Sequence, residues 1–457
     1  MNDSSGGLAA RLGLFDATMV VMGGIVGSGI FINPYVVARL MHTPALILGA
    51  WIAGGALALI GAFVFAELAE RMPSVGGQYA YLREAYHPLA GFLYGWANML
   101  VIGAGGTAAV AVTFAKYFRE LTQIALPENV TAVAVVVALT VINCLGVRAG
   151  SGVQSFFMVL RILAVALLVG CGAWFIAHSL AAPHPAWHPL LDRPVSFDLL
   201  TVFGATMVPV MFAYGGWQTS NYIASEIREP RKNLPRALLL GVLGVIVLYV
   251  SVNFIYVEAL APAGLAATGT PASEVMRRAL GIRGAWLIAA AIAISTVGFL
   301  SSAMLTYPRV YFAMAHDGLF PRRLAQLDER SRAPVAAIAL QGGVTTTVVL
   351  LGTFEQILSY VVVMDWLFFA LAGACLFVFR RREKRNGAAA NAAAGKSYRV
   401  PGHPWTTGVF VAAAFFIVIN TIYKYPRNTC VAMCILFAGV PVYLLFRGRA
   451  RRSSGFE

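Results

Sequence analysis

Gly23-Gly24-Ile25-Val26-Gly27-Ser28-Gly29-Ile30-Phe31 lies in the middle of the first long apolar stretch of the chain, residues 14–40. Four of the seven residues from Gly23 to Gly29 are glycine. Each glycine costs a helix interior about 1 kcal/mol relative to alanine and allows backbone conformations that release N–H and C=O groups from the ladder. In hydrocarbon those groups need partners, so a broken helix at membrane depth is tolerated only where it lines a protein cavity. A close-packing seam of small residues is the competing explanation. A second interruption weighs against the seam: Tyr214-Gly215-Gly216-Trp217, in the middle of the sixth apolar stretch.

The whole chain is built of such stretches. Of 457 residues, 59% are hydrophobic and 12% charged, about half the charged share of an ordinary soluble domain. The apolar blocks are close to the roughly 20 residues a helix needs to cross the bilayer. Spans are expected near 14–40, 44–70, 88–118, 130–147, 154–178, 199–226, 235–259, 283–312, 334–352, 356–379, 405–423 and 428–446. No cleaved signal peptide is expected, because the first stretch lacks a short apolar core followed by a small-residue cleavage site.

The net charge of +14 does not point to nucleic acid, because the basic residues sit in short loops and form no continuous patch. Of the 34 Lys and Arg residues, about 24 fall on the side holding both termini, about nine on the other, and one, Arg161, inside a span. The positive-inside rule then places both termini in the cytoplasm. The densest clusters are Arg228/Arg231/Lys232/Arg236, Arg322/Arg323/Arg330/Arg332 and Arg380/Arg381/Arg382/Lys384/Arg385. The alanine-rich stretch 387–395 and the basic tail beyond Arg447 are expected to be solvated or against anionic lipid headgroups.

Gly-interrupted segments at corresponding positions of two halves are the sequence mark of a transporter built from repeats, with its site near the midplane. The two interruptions lie five spans apart, and five is odd, so the second repeat enters from the opposite side. The expected fold is therefore an all-α polytopic membrane protein of about twelve transmembrane helices. It comprises a 5+5 inverted repeat with discontinuous helices 1 and 6, forming one domain over 1–457. Repeat one covers about 14–178, repeat two about 199–379, and peripheral helices about 405–446. The half-helix after Gly29 would present free N–H groups and a partial positive charge suited to a carboxylate. Carbonyls freed around Ile25 and Phe212 would suit an ammonium group. A ligand with both groups on one carbon is an amino acid.

These motifs resemble a known superfamily. Ile25-Val26-Gly27-Ser28-Gly29-Ile30-Phe31 is similar to the first-helix signature of the amino acid–polyamine–organocation transporters. Phe212-Ala213-Tyr214-Gly215-Gly216-Trp217, with Asn221 and Asn233-Leu234-Pro235-Arg236-Ala237, resembles the sixth-helix region of the L-type amino acid transporter branch. Pro308-Arg309 and Ala315-His316-Asp317-Gly318-Leu319-Phe320-Pro321 resemble the loop after its eighth helix. The resemblance implies a leucine-transporter-like fold and a site in which Gly27, Ser28 and Gly29 cradle the substrate carboxylate. It also implies that Ile25, Phe212 and Gly215 offer carbonyls to the amine, and that the Phe212 ring closes over the substrate. A leucine at position 29 is expected to fill the carboxylate position. In eukaryotic L-type relatives a cysteine in the loop after the third span bonds a heavy chain. Residues 119–129 contain none, so no disulfide-linked partner is expected.

Ionisable residues within the bilayer are functional hypotheses by default. Arg161, in the fifth span, matches a position where many members of the superfamily carry a lysine that stands in for sodium and bridges helices one, five and eight. A fixed cation there excludes sodium, and arginine does not release its proton as a buried lysine can. Asp365, in the tenth span, precedes Trp366 where relatives often have Asn. It is read either as substrate-facing or as a structural hydrogen-bonding group. Glu67 and Glu226, at cytoplasmic helix ends, are expected to pair structurally at a gate, and Lys116 and Glu258 to sit at the interface. Gly103, Gly105 and Gly106 either leave room for a bulky substrate side chain or pack helices.

No cofactor, metal or enzymatic constellation is expected. The seven histidines fall mostly in loops, and the five cysteines, among them Cys430 and Cys434 on one helix face, lack metal-type surroundings. A channel would call for rings of like charge or a repeated filter motif, and neither is visible. The function expected is sodium-independent transport or exchange of neutral L-amino acids across a bacterial inner membrane. Cationic amino acid or polyamine exchange, or proton-coupled symport, are the alternatives.

Overall fold

The computed structural model describes residues 12–72, 77–145, 151–178, 185–218, 227–328, 333–385 and 398–453. Asn221, Glu226, Arg330, Arg332 and the alanine-rich stretch 387–395 lie outside them. Among the described residues ten helices are long and apolar enough to cross a membrane, and two shorter apolar helices, Glu128–Cys144 and Val335–Leu351, fall where the fourth and ninth spans are expected. Every one of the twelve expected spans has its helix. The described residues hold no strand, only an isolated bridge between Leu12 and Ile227.

The first span is two helices, α1 (Leu14–Ile25) and α2 (Gly29–Leu40), separated by Val26, Gly27 and Ser28. α3 (Pro44–Arg71) follows, started by Thr43, whose hydroxyl accepts from the Leu46 N–H, and by Pro44, which has no N–H to leave unpaired. A short helix not foreseen from the apolar pattern, α4 (Gln78–Ala85), precedes the third span. That span is α5 (Pro88–Ala97) and α6 (Gly103–Thr122), joined by a π-helical turn over Asn98–Ile102. A π turn inserts a residue and rotates the helix beyond it, and such turns gather at functional sites.

α7 (Glu128–Cys144), α8 (Ser151–His178) and α9 (Phe197–Tyr214) form the fourth, fifth and start of the sixth spans. α9 stops at Tyr214, and Gly215 and Gly216 continue without helix. α10 (Pro230–Ala267) and α11 (Pro271–Thr306) each contain a break, at Ala261 (φ 56°) and Gly281 (φ 70°), so the spans within them are shorter than the helices. At Pro308 α11 passes into α12 (Pro308–His316) through a Tyr307 that keeps helical angles, so the apolar helix of the eighth span continues past the residue 312 expected. α13 (Val335–Leu351), α14 (Phe354–Arg385), α15 (Trp405–Lys424) and α16 (Pro426–Ser453) complete the chain.

α10 packs on α1, α2 and α3, and α9 on α2, α3 and α15, so both broken spans sit inside the bundle. The outer helices turn bulky apolar side chains outward: Val137 and Val141 of α7, Leu163 and Trp174 of α8, Leu243 and Val247 of α10, and Phe437 and Leu444 of α16 are exposed. In water such a surface would drive association; here it is the face that meets lipid tails.

One end of the bundle is closed by charge. Glu67, fully buried at the end of α3, accepts from Arg71 Nε (2.9 Å), from Arg380 Nε and Nη2 of α14 (2.9 and 2.5 Å) and from the Val400 N–H (2.6 Å). Arg71 reaches on to Glu383 (3.0 Å), which also holds Arg399 (2.7 Å). Arg83 pairs with Asp317, which accepts from the Tyr79 hydroxyl at 2.6 Å. The pairing expected of Glu67 is present.

Candidate functional site

The two interruptions meet. Gly216, at φ 105°, lies so close to α1 that a Cβ on it would stand 2.1 Å from the Gly24 oxygen. Only glycine takes that conformation and that approach without strain. On its two sides Tyr214 and Trp217 are fully buried. Tyr214 packs with Trp51 and Tyr249 (centroids 5.9 and 5.0 Å), and Trp217 stacks on Phe369 (4.7 Å). The aromatic anchors hold the chain on either side while the glycines between them open. Gly29 makes the second close approach: a Cβ there would be 2.6 Å from the Ala213 Cα. A leucine at 29 would therefore collide with α9 before reaching any ligand, so the expectation that it fills the carboxylate position is corrected. At this residue the packing-seam explanation holds as well.

Between the broken ends lies a cavity of about 60 Å³ that communicates with solvent. Ile25, Gly27, Ser28, Gly29, Phe212, Gly215 and Asp365 all line it, residues from three spans brought to one place. α2 begins at Gly29, and its first turn has N–H groups without i−4 acceptors. The Ser28 hydroxyl is buried and has no hydrogen-bond partner among the described residues. α9 ends beside the start of α2 and borders the same cavity, and the carbonyls of its last turn lie beyond the regular helical ladder. The Gly216 N–H, four residues after Phe212, donates to Gln218 Oε1 at 3.0 Å.

The Ile25 carbonyl is less free than expected. It accepts from the Gly27 N–H at 2.7 Å and from the Tyr249 hydroxyl at 3.1 Å, and the same hydroxyl lies 3.2 Å from the Ala213 oxygen. Tyr249 thus ties the cut ends of α1 and α9 together. A tyrosine in mid-span needs a partner for its hydroxyl when buried, and that was the signal available in the sequence. Asn33 makes a similar tie, its Nδ2 donating to the Pro209 oxygen at 2.6 Å.

Arg161 does not line the cavity but stands one layer behind it. Only 4% exposed, it donates from Nη1 to the Gly23 oxygen (3.1 Å) and from Nη2 to the Ser295 oxygen (2.8 Å). Its guanidinium lies 5.7 Å from the centroid of Phe299, which does line the cavity. It therefore joins α8 to α1 and α11, the first, fifth and eighth spans, and does not snorkel to headgroups. Asp365, 8% exposed, faces the cavity beside Gly215, with Oδ2 3.8 Å from where a Cβ on that glycine would be.

The glycines of the third span divide. A Cβ on Gly105 would meet Val361 at 2.5 Å, and one on Gly103 the Asn98 oxygen at 2.8 Å, so both serve packing. Gly106 lines the cavity with nothing nearer than 3.8 Å, and so leaves space in it. Nearer the other end of the bundle, Lys116 lies 5.5 Å from the rings of Tyr35 and Phe354, and Glu258 accepts from Trp187 Nε1 at 3.0 Å.

The two sides of the break differ in burial. From Gly29 to Tyr35, α2 is buried residue by residue, whereas Met19, Val20, Gly23 and Gly24 on the other side of the break are partly exposed. A cavity bordered by the cut ends of two broken spans, with a helix N-terminus and the end of a second helix at its wall, is the arrangement found in carriers built from discontinuous helices.

A family model for amino acid permeases matches residues 12–446. The serine/threonine exchanger SteT of Bacillus subtilis (strain 168) is 29% identical, covering 97% of this chain and 98% of the exchanger. The human large neutral amino acids transporter small subunit 2 is also 29% identical, over 96% of this chain and 81% of its own. The human Asc-type amino acid transporter 1 is similar at 29% identity, over 96% and 82%. With the match running through nearly its whole length, the chain belongs to the amino acid permease family of the amino acid–polyamine–organocation superfamily.

Proposed function

We propose that the protein is a sodium-independent exchanger or facilitator of neutral L-amino acids that works by alternating access. The observation that carries this is the cavity itself: the N-terminus of α2 and the C-terminus of α9 both border it, offering N–H groups for a carboxylate and carbonyls for an ammonium. Ser28 and Gly29, with Gly27 beside them, receive the carboxylate; Phe212 and Gly215, and Ile25 to the extent its carbonyl is released, receive the amine. Phe212, partly exposed to the cavity, acts as the gate on the closed side. Neutral side chains are favoured by the similar proteins, two of which are named for serine, threonine and large neutral amino acids.

The two repeats then cover about 14–178 and 199–379, with α15 and α16 peripheral. Both termini lie in the cytoplasm, the cavity opens inward, and the membrane is the inner membrane of a bacterial cell. Although one similar protein is called a small subunit, residues 119–129 offer no cysteine for a disulfide-linked heavy chain.

A second reading, cationic amino acid or polyamine exchange or proton-coupled symport, has one observation in its favour, the carboxylate of Asp365 in the cavity wall. The deciding experiment loads proteoliposomes with unlabelled amino acid and measures uptake of labelled L-serine, L-leucine and L-lysine, with sodium or choline outside. Trans-stimulated uptake of serine or leucine, equal in both salts, is expected. Uptake of lysine alone, or none without sodium, overturns the proposal. Phe212→Ala is expected to lower the transport rate at unchanged protein abundance.

A further inference from the structure

The turn after α9 gathers three oxygens around one point. A Cβ built on Gly215 would lie 3.3 Å from the Met211 oxygen, 3.5 Å from the Phe212 oxygen and 3.8 Å from Asp365 Oδ2. Both carbonyls belong to the last turn of α9, which ends at Tyr214; the Met211 carbonyl still faces the cap residue Gly215, and the Phe212 carbonyl is the first beyond the regular ladder. The carboxylate comes from a different span, α14, and is only 8% exposed. Its Oδ1 has no hydrogen-bond partner and it makes no ion pair among the described residues. The cavity wall includes the apolar Met211, Val361, Val362 and Trp366, and near the carboxylate the phenol of Tyr307, which brings no positive charge.

An ionised carboxylate in such surroundings is costly unless a positive charge is brought to it. No protein cation among the described residues is placed to do so, since Arg161 is engaged with the Gly23 and Ser295 carbonyls behind Phe299. A primary ammonium has three donors and no acceptor, which suits the Phe212 carbonyl and the Asp365 carboxylate on the two sides of Gly215.

Resting on the transport reading, we propose that Asp365 is part of the amine subsite: it supplies the counter-charge for the α-ammonium of the substrate, beside the Met211 and Phe212 carbonyls over Gly215. The carboxylate is then used on the part common to every amino acid, not on the side chain. Its presence is compatible with neutral side chains, and the site demands a charged amine. Two other occupants of the same oxygens, a proton or a sodium ion, are distinguished by the test.

The test compares, in proteoliposomes, competition against labelled L-serine or L-leucine by the unlabelled amino acid and by its α-hydroxy acid analogue. Native protein is expected to prefer the amino acid strongly. Asp365→Asn should weaken amino acid competition about ten- to hundredfold, the effect of one charge-assisted hydrogen bond, and leave the hydroxy acid unchanged, so that discrimination collapses. Asp365→Glu should restore part of it. Gly215→Ala is an independent variant, because Gly215 at φ −67° accepts a side chain without backbone strain, and its methyl would stand between the three oxygens. It should lose the same discrimination at normal abundance. Native discrimination in both Asp365→Asn and Gly215→Ala overturns the assignment. So does substrate-driven proton movement in the native protein that Asp365→Asn abolishes, which makes the proton the occupant, or uptake that requires sodium. Native protein that transports no amino acid defeats the transport reading itself, a result the variants cannot imitate.

Discussion

Replacing Arg161 tests the tie behind the cavity. The guanidinium makes two hydrogen bonds, to the Gly23 and Ser295 oxygens at 3.1 and 2.8 Å, and is 4% exposed. A hydrogen bond from a charged donor contributes about 1.5–3 kcal/mol, so loss of both costs about 3–6 kcal/mol before the helices relax. Asparagine is too short to reach either carbonyl from α8 and leaves a void as well. Lysine keeps the charge and one of the two bonds, so its cost is roughly half. The expected order of thermal stability in detergent and of uptake in proteoliposomes is therefore Arg, then Lys, then Asn. Because Gly23 is four residues from the Gly27 break, Arg161→Asn should also loosen α1 and lower the uptake rate more than it raises KM. Uptake by the native protein should not change when sodium is replaced by choline, since a fixed cation occupies the position. Full activity and stability in the Asn variant, or strict sodium dependence in the native protein, would remove Arg161 from the mechanism.

Three further outcomes are expected from the geometry. Glu67→Ala strands two arginines and the Val400 N–H at a buried point and should destabilise by about 3–5 kcal/mol; Glu383→Ala, at a 21% exposed side chain, should cost much less. Equal melting temperatures for the two variants would contradict the layout of that network. Gly216→Ala should abolish transport and reduce folded yield, because its Cβ would meet the Gly24 oxygen at 2.1 Å in a left-handed conformation, whereas Gly106→Ala should fold and discriminate against bulky substrates; a functional Gly216→Ala protein would show that the two breaks do not touch. For topology, Gly269→Cys should react with a membrane-impermeant thiol reagent from outside and Asn386→Cys only from the cytoplasm, and external labelling of Asn386→Cys in intact cells would invert the orientation.

The sequence by itself determined the features that depend on one-dimensional pattern and on the solvent. Twenty-residue apolar blocks can only be helices in hydrocarbon, since every backbone group must pair within its own segment. For this reason the expected twelve spans each have an apolar helix. The glycines at 23–29 and at 215–216 mark the breaks for the same local reason, a backbone free to leave the ladder. Single-residue chemistry was legible too: Arg161 and Asp365 stood out because charge is rare at that depth. Only the tertiary structure decided which glycine does what. Gly29 and Gly105 face neighbouring helices, while Gly106 and Gly215 face the cavity, because side-chain direction depends on helix rotation and on the π turn at Asn98–Ile102, which no apolar pattern records. The tie made by Tyr249 between Ile25 and Ala213 joins residues separated by 224 and 36 positions. That pairing belongs to the packing of α10 against the first span, and the carboxylate beside Gly215 to the packing of α14 on α9. Hydrophobicity told the chain where to be helical, and the close approach of helices fixed which freed backbone groups remain for a ligand.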